Sequence, residues 1–200
     1  MFTDLLNLSI NRDRSTLQDQ VLSLSGMTWE DYDCLTQEAN SYRLSYLEGI
    51  ITIVSPSYNH EVIERTISGL ITAYCRKYSL PYFPMGSTTL KNPPLAGKEP
   101  DSSYSFDTRK PIADLAIEVV YSSGGTADLD KYKLLGVEEV WFWQNGNVEF
   151  YRLTSTNYQQ IKISDRLPRL SSTFLINFIN RGLKESPLTI EADFVQALPN

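Results

Sequence analysis

The sequence predicts an α/β (α+β) chain, a mixed β-sheet flanked by helices, on three observations. An apolar strand, a short helix and a second apolar strand follow one another over 114–143 as a β-α-β unit. A long amphipathic pattern runs from Asn59 to about Tyr78. Alternating segments form β-hairpins, one about Glu48-Gly49 and one from NVEFYRL and YQQIKI.

Two hundred residues suit one domain with a sizeable core. The apolar share of 42% and charged share of 21% are those of a soluble globular protein. No stretch nears the roughly 18 uninterrupted apolar residues that span a bilayer, so no membrane partner is expected. The first residues carry Asp4 and lack a basic start, which does not read as a secretion signal. Cys34 and Cys75 fit no metal spacing and read as reduced core thiols, so a cytoplasmic location is expected. The net charge of −6 is wrong for a protein that blankets DNA with positive charge. Contact with nucleic acid then needs a local basic patch, or a cation between acids and phosphates.

Residues 1–26 read as an arm, 27–182 as the domain and 183–200 as a tail. Thr28-Trp-Glu-Asp31 is a capping-box-like start for a short helix through about Ala39. Tyr42, Leu44 and Tyr46 alternate with polar residues before the turn, and Ile51, Ile53 and Val54 resume after it. In the next helix Val62, Ile63, Ile67, Leu70, Ile71 and Tyr74 recur at helical spacing. The proline-rich segment 81–100 reads as loop and edge strand. DSSYSF, a turn at DTRKP and DLAIEVV follow, then the loop Ser122-Ser-Gly-Gly125, the helix ADLDKYKLLG and the strand EEVWFW. That loop lacks the phosphate-loop lysine and needs no reading beyond a strand-to-helix turn.

Glu118 is out of place. It interrupts Leu115–Val120, an otherwise apolar strand of a kind covered on both faces. A buried carboxylate costs several kcal/mol unless a cation or donor compensates it. A structural salt bridge with a lysine or arginine is one answer. Asp101 supplies another, because a tight turn around Asp107–Lys110 joins its strand to that of Glu118. Two neighbouring carboxylates raise one another's pKa or share a divalent cation. Mg²⁺ takes one or two carboxylates plus water and phosphate oxygens, and would stabilise the charge of phosphodiester cleavage.

Glu99-Pro-Asp101, PIADLAIEVVYSS and DKYKLLGVEEVWFW, with the earlier YLEGIITIVSPSYNHEVI, resemble the Uma-type putative restriction endonucleases, a branch of the PD-(D/E)XK superfamily. The resemblance runs from about Met27 to Ile179. It implies a restriction-endonuclease-like fold, a divalent metal (Mg²⁺, with Mn²⁺ as substitute) and action on DNA. It implies that Asp101 and Glu118 bind metal, and that Glu48 and His60 occupy recurring positions of the first block. The lysine of the simplest superfamily pattern falls here on Val120. The family's pattern moves it to the following helix, where Asp128 stands. On a helical projection Leu129, Tyr132 and Leu135 form the apolar stripe, Asp128 points into it, and Lys131 lies roughly 60° away. Either Lys131 substitutes for the lysine and Asp128 joins the metal site, or catalysis is lost while binding remains.

The expectation is a Mg²⁺-dependent DNA endonuclease, with Asp101, Glu118 and Asp128 at the metal and Lys131 assisting the attacking water. Glu48 and His60 are peripheral members. Lys91, Lys98, Arg109 and Lys110 stand near Asp101 in sequence as candidate phosphate contacts. The alternative is a DNA-binding or regulatory homodimer without catalysis, and a dimer also suits symmetric cutting of two strands. A two-carboxylate sugar hydrolase is weaker, for want of an aromatic-lined cleft. Trp141 and Trp143 alternate in a strand and read as core.

Overall fold

Alternation in Gln20–Ser25 sends Leu22 and Leu24 inward and begins a first sheet, in the computed structural model that describes residues 18–38, 42–121 and 125–199. The remaining arm, residues 1–17, and residues 122–124 of the expected loop lie outside the described residues. In chain order the elements are β1 (Gln20–Ser25), α1 (Trp29–Glu38), β2 (Arg43–Leu47), β3 (Ile50–Ser55), α2 (Tyr58–Tyr78), β4 (Tyr82–Pro84), β5 (Leu90–Asn92) and β6 (Ala96–Lys98). Then come β7 (Ser102–Phe106), β8 (Leu115–Val120), α3 (Leu129–Leu135), β9 (Glu139–Gln144), β10 (Asn147–Leu153), β11 (Tyr158–Ile161), α4 (Ser172–Ile179) and α5 (Pro187–Ala197).

The strands divide into two sheets where one was expected. The first is antiparallel, in the order β1-β3-β2-β6-β5; the second is mixed, in the order β11-β10-β9-β8-β7-β4. The predicted β-α-β unit is present: β8 and β9 run parallel, Leu115 opposite Glu139, across α3. The predicted hairpin closes at Glu48 (φ 48°) and Gly49 (φ 79°), a two-residue turn whose twist matches the strands it joins. In the capping box, Asp31 accepts from the Thr28 amide at 2.9 Å, and the Asp31 amide donates to the Thr28 hydroxyl at 3.2 Å.

The second sheet is covered on both faces, which is why β8 is buried along its whole length. Ile117, Trp141 and Phe150 pack with α2, α4 and α5; Ala116, Val120 and Phe142 pack with α3 and the β5–β6 hairpin. The helix α1 packs on the first sheet through Tyr32 and Leu35.

Three boundaries need correction. Residues 20–25 of the arm are a paired strand, Gln20 opposite Ser55. The tail carries α5, whose Ile190 and Phe194 join the main core. Segment 81–100 holds β4 and β5, each at a sheet edge as read, but also β6, which lies inside the first sheet between β2 and β5. A side chain cannot be added within β6 at Gly97, where a Cβ would lie 2.1 Å from Tyr32 Cε1. Gly97→Ala is expected to lose about 1–3 kcal/mol of stability, because the fully buried Tyr32 ring has nowhere to go. A urea midpoint equal to that of the unaltered chain would refute this packing.

Candidate functional site

The chain from β7 to β8 turns back tightly, pairing Ser102 with Ile117. Continuing that register by one residue sets Asp101 opposite Glu118, and opposed residues of an antiparallel pair share a face. Both side chains line one cleft of about 370 Å³, together with Lys98, Asp128, Lys131 and His60. The wall facing them belongs to the first sheet, including Val21, Thr52 and Val54.

Lys98 reaches the acids from β6. Its ammonium is 7% exposed as a residue and lies 3.1 Å from Glu118 Oε2 and 3.1 Å from Asp128 Oδ2. The simplest explanation of a buried Glu118, a lysine partner, is therefore met. Burial still raises the Glu118 carboxyl, to about 7, with Asp101 and Asp128 adding to the rise and Lys98 and the Tyr132 hydroxyl opposing it. The Tyr132 hydroxyl donates to Glu118 Oε1. For Asp101, burial acts upward, but the His60 ring and the Val119 amide, which donates to Oδ2 at 2.8 Å, hold it below the ordinary carboxylate value.

Asp128 points inward as projected, and Lys131 Nζ lies 2.6 Å from its Oδ1. Despite burial, Lys98 and Lys131 hold Asp128 down at about 2. The sign reversal on the helix is thus compensated by a lysine from another strand. His60 sits in the first turn of α2, where its amide donates to the Ser57 cap at 3.3 Å. Nε2 lies 3.0 Å from Asp101 Oδ1, an ion-pair distance without the alignment of a hydrogen bond. Nδ1 lies 2.9 Å from Asp19 Oδ2. Burial works against the charged ring, but Asp101 and Asp19 outweigh it and raise His60 to about 10. Arg43 Nε stands 3.7 Å from Asp101 Oδ1.

The other candidates sort cleanly. Glu48 is exposed on its turn, at the rim of the cleft. Lys91 pairs with Asp33, Lys110 with Asp114, and Arg109 lies over the Phe83 ring, so of the four cations near Asp101 in sequence only Lys98 is in the site. Trp141 is core, its indole donating to Glu139, and Trp143 donates to Asn180. Sequence reasoning missed the pairing of Lys98 with Glu118, and Asp19 and Arg43 altogether. Lys98 had a signal, three residues before Asp101 and directly before the Glu99-Pro-Asp101 block; Asp19 had none.

The donor set suits a hard dication at Asp101 and Glu118, two carboxylate oxygens on one face with space beside them for water and phosphate. Asp128 is engaged by its two lysines. Among the described residues, no group of three or more His, Cys, Asp or Glu side chains is arranged around an ion position. Among them, too, no helix is long and apolar enough to cross a membrane.

The structure of a putative nuclease belonging to DUF820, from Anabaena variabilis, superposes with a TM-score of 0.55 at 15% identity. The match covers 76% of this chain and 99% of that one, and establishes likeness of fold. No curated protein matches the chain. The profile of the Uma2 family, described as putative restriction endonuclease, matches residues 29–183. With the opposed acids, the restriction-endonuclease-like fold and a match over most of its length, the chain belongs to the Uma2 putative restriction endonuclease family.

Proposed function

We propose that the chain is a divalent-metal-dependent endodeoxyribonuclease. Asp101 and Glu118 would hold Mg²⁺, or Mn²⁺ in its place, and Lys98 rather than Lys131 would stand beside the attacking water. The observation that carries this reading is the buried Lys98 ammonium on Glu118, opposite Asp101 in one cleft. When bound, the metal supplies a Lewis acid to the scissile phosphate and makes water more acidic. The chain's own part is geometric and electrostatic. Val119 and His60 orient Asp101, Tyr132 and Lys98 orient Glu118, and Asp128 holds Lys98 and Lys131 together. Lys98 can direct a proton-bearing oxygen and offset negative charge developing on the phosphate. DNA would come to an acidic chain through the cation in the cleft, with Arg43, Lys98 and Lys131 as the local positive charge.

The non-catalytic alternative drew its motive from Asp128 in the lysine's place. With Lys98 paired to both Asp128 and Glu118, that motive is much weaker. A homodimer remains a proposal suited to symmetric cutting, and sedimentation measures it. Cys75 is buried, while Cys34, read from the sequence as a core thiol, is exposed on α1; two free thiols suit a cytoplasmic enzyme.

Nicking of supercoiled plasmid with Mg²⁺, with Mn²⁺ and with EDTA tests the reading. Asp101→Ala and Glu118→Gln are each expected to slow nicking by more than about a hundredfold, since residues that merely support metal ligands already cost 10–100-fold. Activity that survives EDTA, or either variant nicking at the rate of the unaltered chain, would overturn it.

A further inference from the structure

Asp19 precedes the segment that the family profile matches, yet it is built into the site. Its side chain is 3% exposed. Oδ1 accepts from the Ser57 amide at 2.8 Å, and Oδ2 lies 2.9 Å from His60 Nδ1. Ser57 is itself the cap of α2, so Asp19 grips both the cap and the ring three residues later. On the far side of that ring lies Asp101, 3.0 Å from Nε2. Both ring nitrogens are thus turned toward carboxylates, Nδ1 to Asp19 and Nε2 to Asp101, and the ring is held from behind.

We propose that Asp19 and His60 are positioning residues for Asp101. Asp19 fixes the ring, the ring fixes the Asp101 carboxylate, and the residue leading into β1, outside the family-matched segment, thereby completes the metal site. The inference rests on the nuclease reading and adds to it a residue that no family block contains. The arrangement parallels metal sites in which an outer carboxylate orients a histidine, but here the histidine orients an acid.

The test uses the full chain. Asp19→Asn retains an oxygen for the Ser57 amide and removes the negative charge from behind the ring; His60→Gln removes the ring. Mn²⁺ affinity is measured by calorimetry, nicking kinetics at saturating Mn²⁺, and folding by thermal unfolding. His60 is the only histidine, so its ring nitrogens are read without ambiguity by ¹⁵N NMR. D19N is expected to weaken Mn²⁺ binding by about 10–100-fold, to leave KM for DNA unchanged, and to alter the His60 Nδ1 signal. The double variant is expected to lose no more affinity than H60Q alone, because both changes act through one ring. D19N with unaltered Mn²⁺ affinity and kcat overturns the proposal even if its Tm falls, since Asp19 is then only a latch for β1. If D19N does not fold, H60Q is read in the same way: lost affinity supports positioning and unaltered affinity overturns it. An unaltered chain that binds no Mn²⁺ sinks the nuclease reading and this inference with it; normal binding by both chains sinks only the inference.

Discussion

Lys98→Met is expected to cost about 3–5 kcal/mol of stability and to slow nicking by about 10²–10⁴-fold. The methionine fills much of the lysine's volume, so the loss is one of charge. Glu118 would keep the Tyr132 hydroxyl and Asp128 would keep Lys131, but the ammonium they share would be gone. The stability loss depends on pH with a definite sign. Lys98 lowers the Glu118 carboxyl, which nonetheless stands raised, at about 7. Without the lysine it rises further. Between its ordinary value near 4.5 and that higher value, the folded state holds a proton that the unfolded chain releases, so acid favours folding there. The variant should therefore be weakest at alkaline pH and recover toward pH 5. Urea midpoints at pH 5 and pH 8 check this, and equal deficits at both would refute it. Lys131→Met is expected to do less on both measures, because among the described residues Lys131 pairs with Asp128 and not with Glu118.

Phe194→Ala is expected to destabilise by about 3–5 kcal/mol, the range for removing a buried aromatic ring. Phe194 is fully buried, with Phe174 and Phe178 ring centres at 5.7 and 5.3 Å. The helix that carries it is also tied to α2 by Lys77, whose Nζ donates to the Val195 and Leu198 carbonyls at 2.9 and 2.8 Å. Denaturant unfolding measures the loss. A cost under about 1 kcal/mol, the range of surface positions, would mean that α5 is a detachable appendage.

What could be read from the sequence followed the range of each signal. The long helix and the β-α-β unit were legible because their periodicities are local and extend over many residues. Glu118 was legible as one carboxylate in a fully covered strand. Lys98 was misjudged because β6 is only three residues long, too short to show alternation, and its neighbouring prolines read as loop. In α5 the spacing of Ile190, Phe194 and Leu198 was present, and Pro187 marks a helix start; a position at the chain's end was taken too readily for a tail. Two sheets read as one because hairpin alternation tells a strand which face is buried, not which sheet it joins. Asp19 was beyond reach, since its meaning depends on a histidine brought to it by the fold.

Lys98 belongs to the first sheet, while Glu118 and Asp101 belong to the second or its margin. The proposed nuclease site thus straddles a seam, and its alignment is inherited from how two separately packed layers abut. On that proposal, swaps far from the cleft, such as repacking Tyr32 behind β6, would register as lost turnover before any residue of the site had been touched. Catalytic rate would then double as a gauge of interlayer fit.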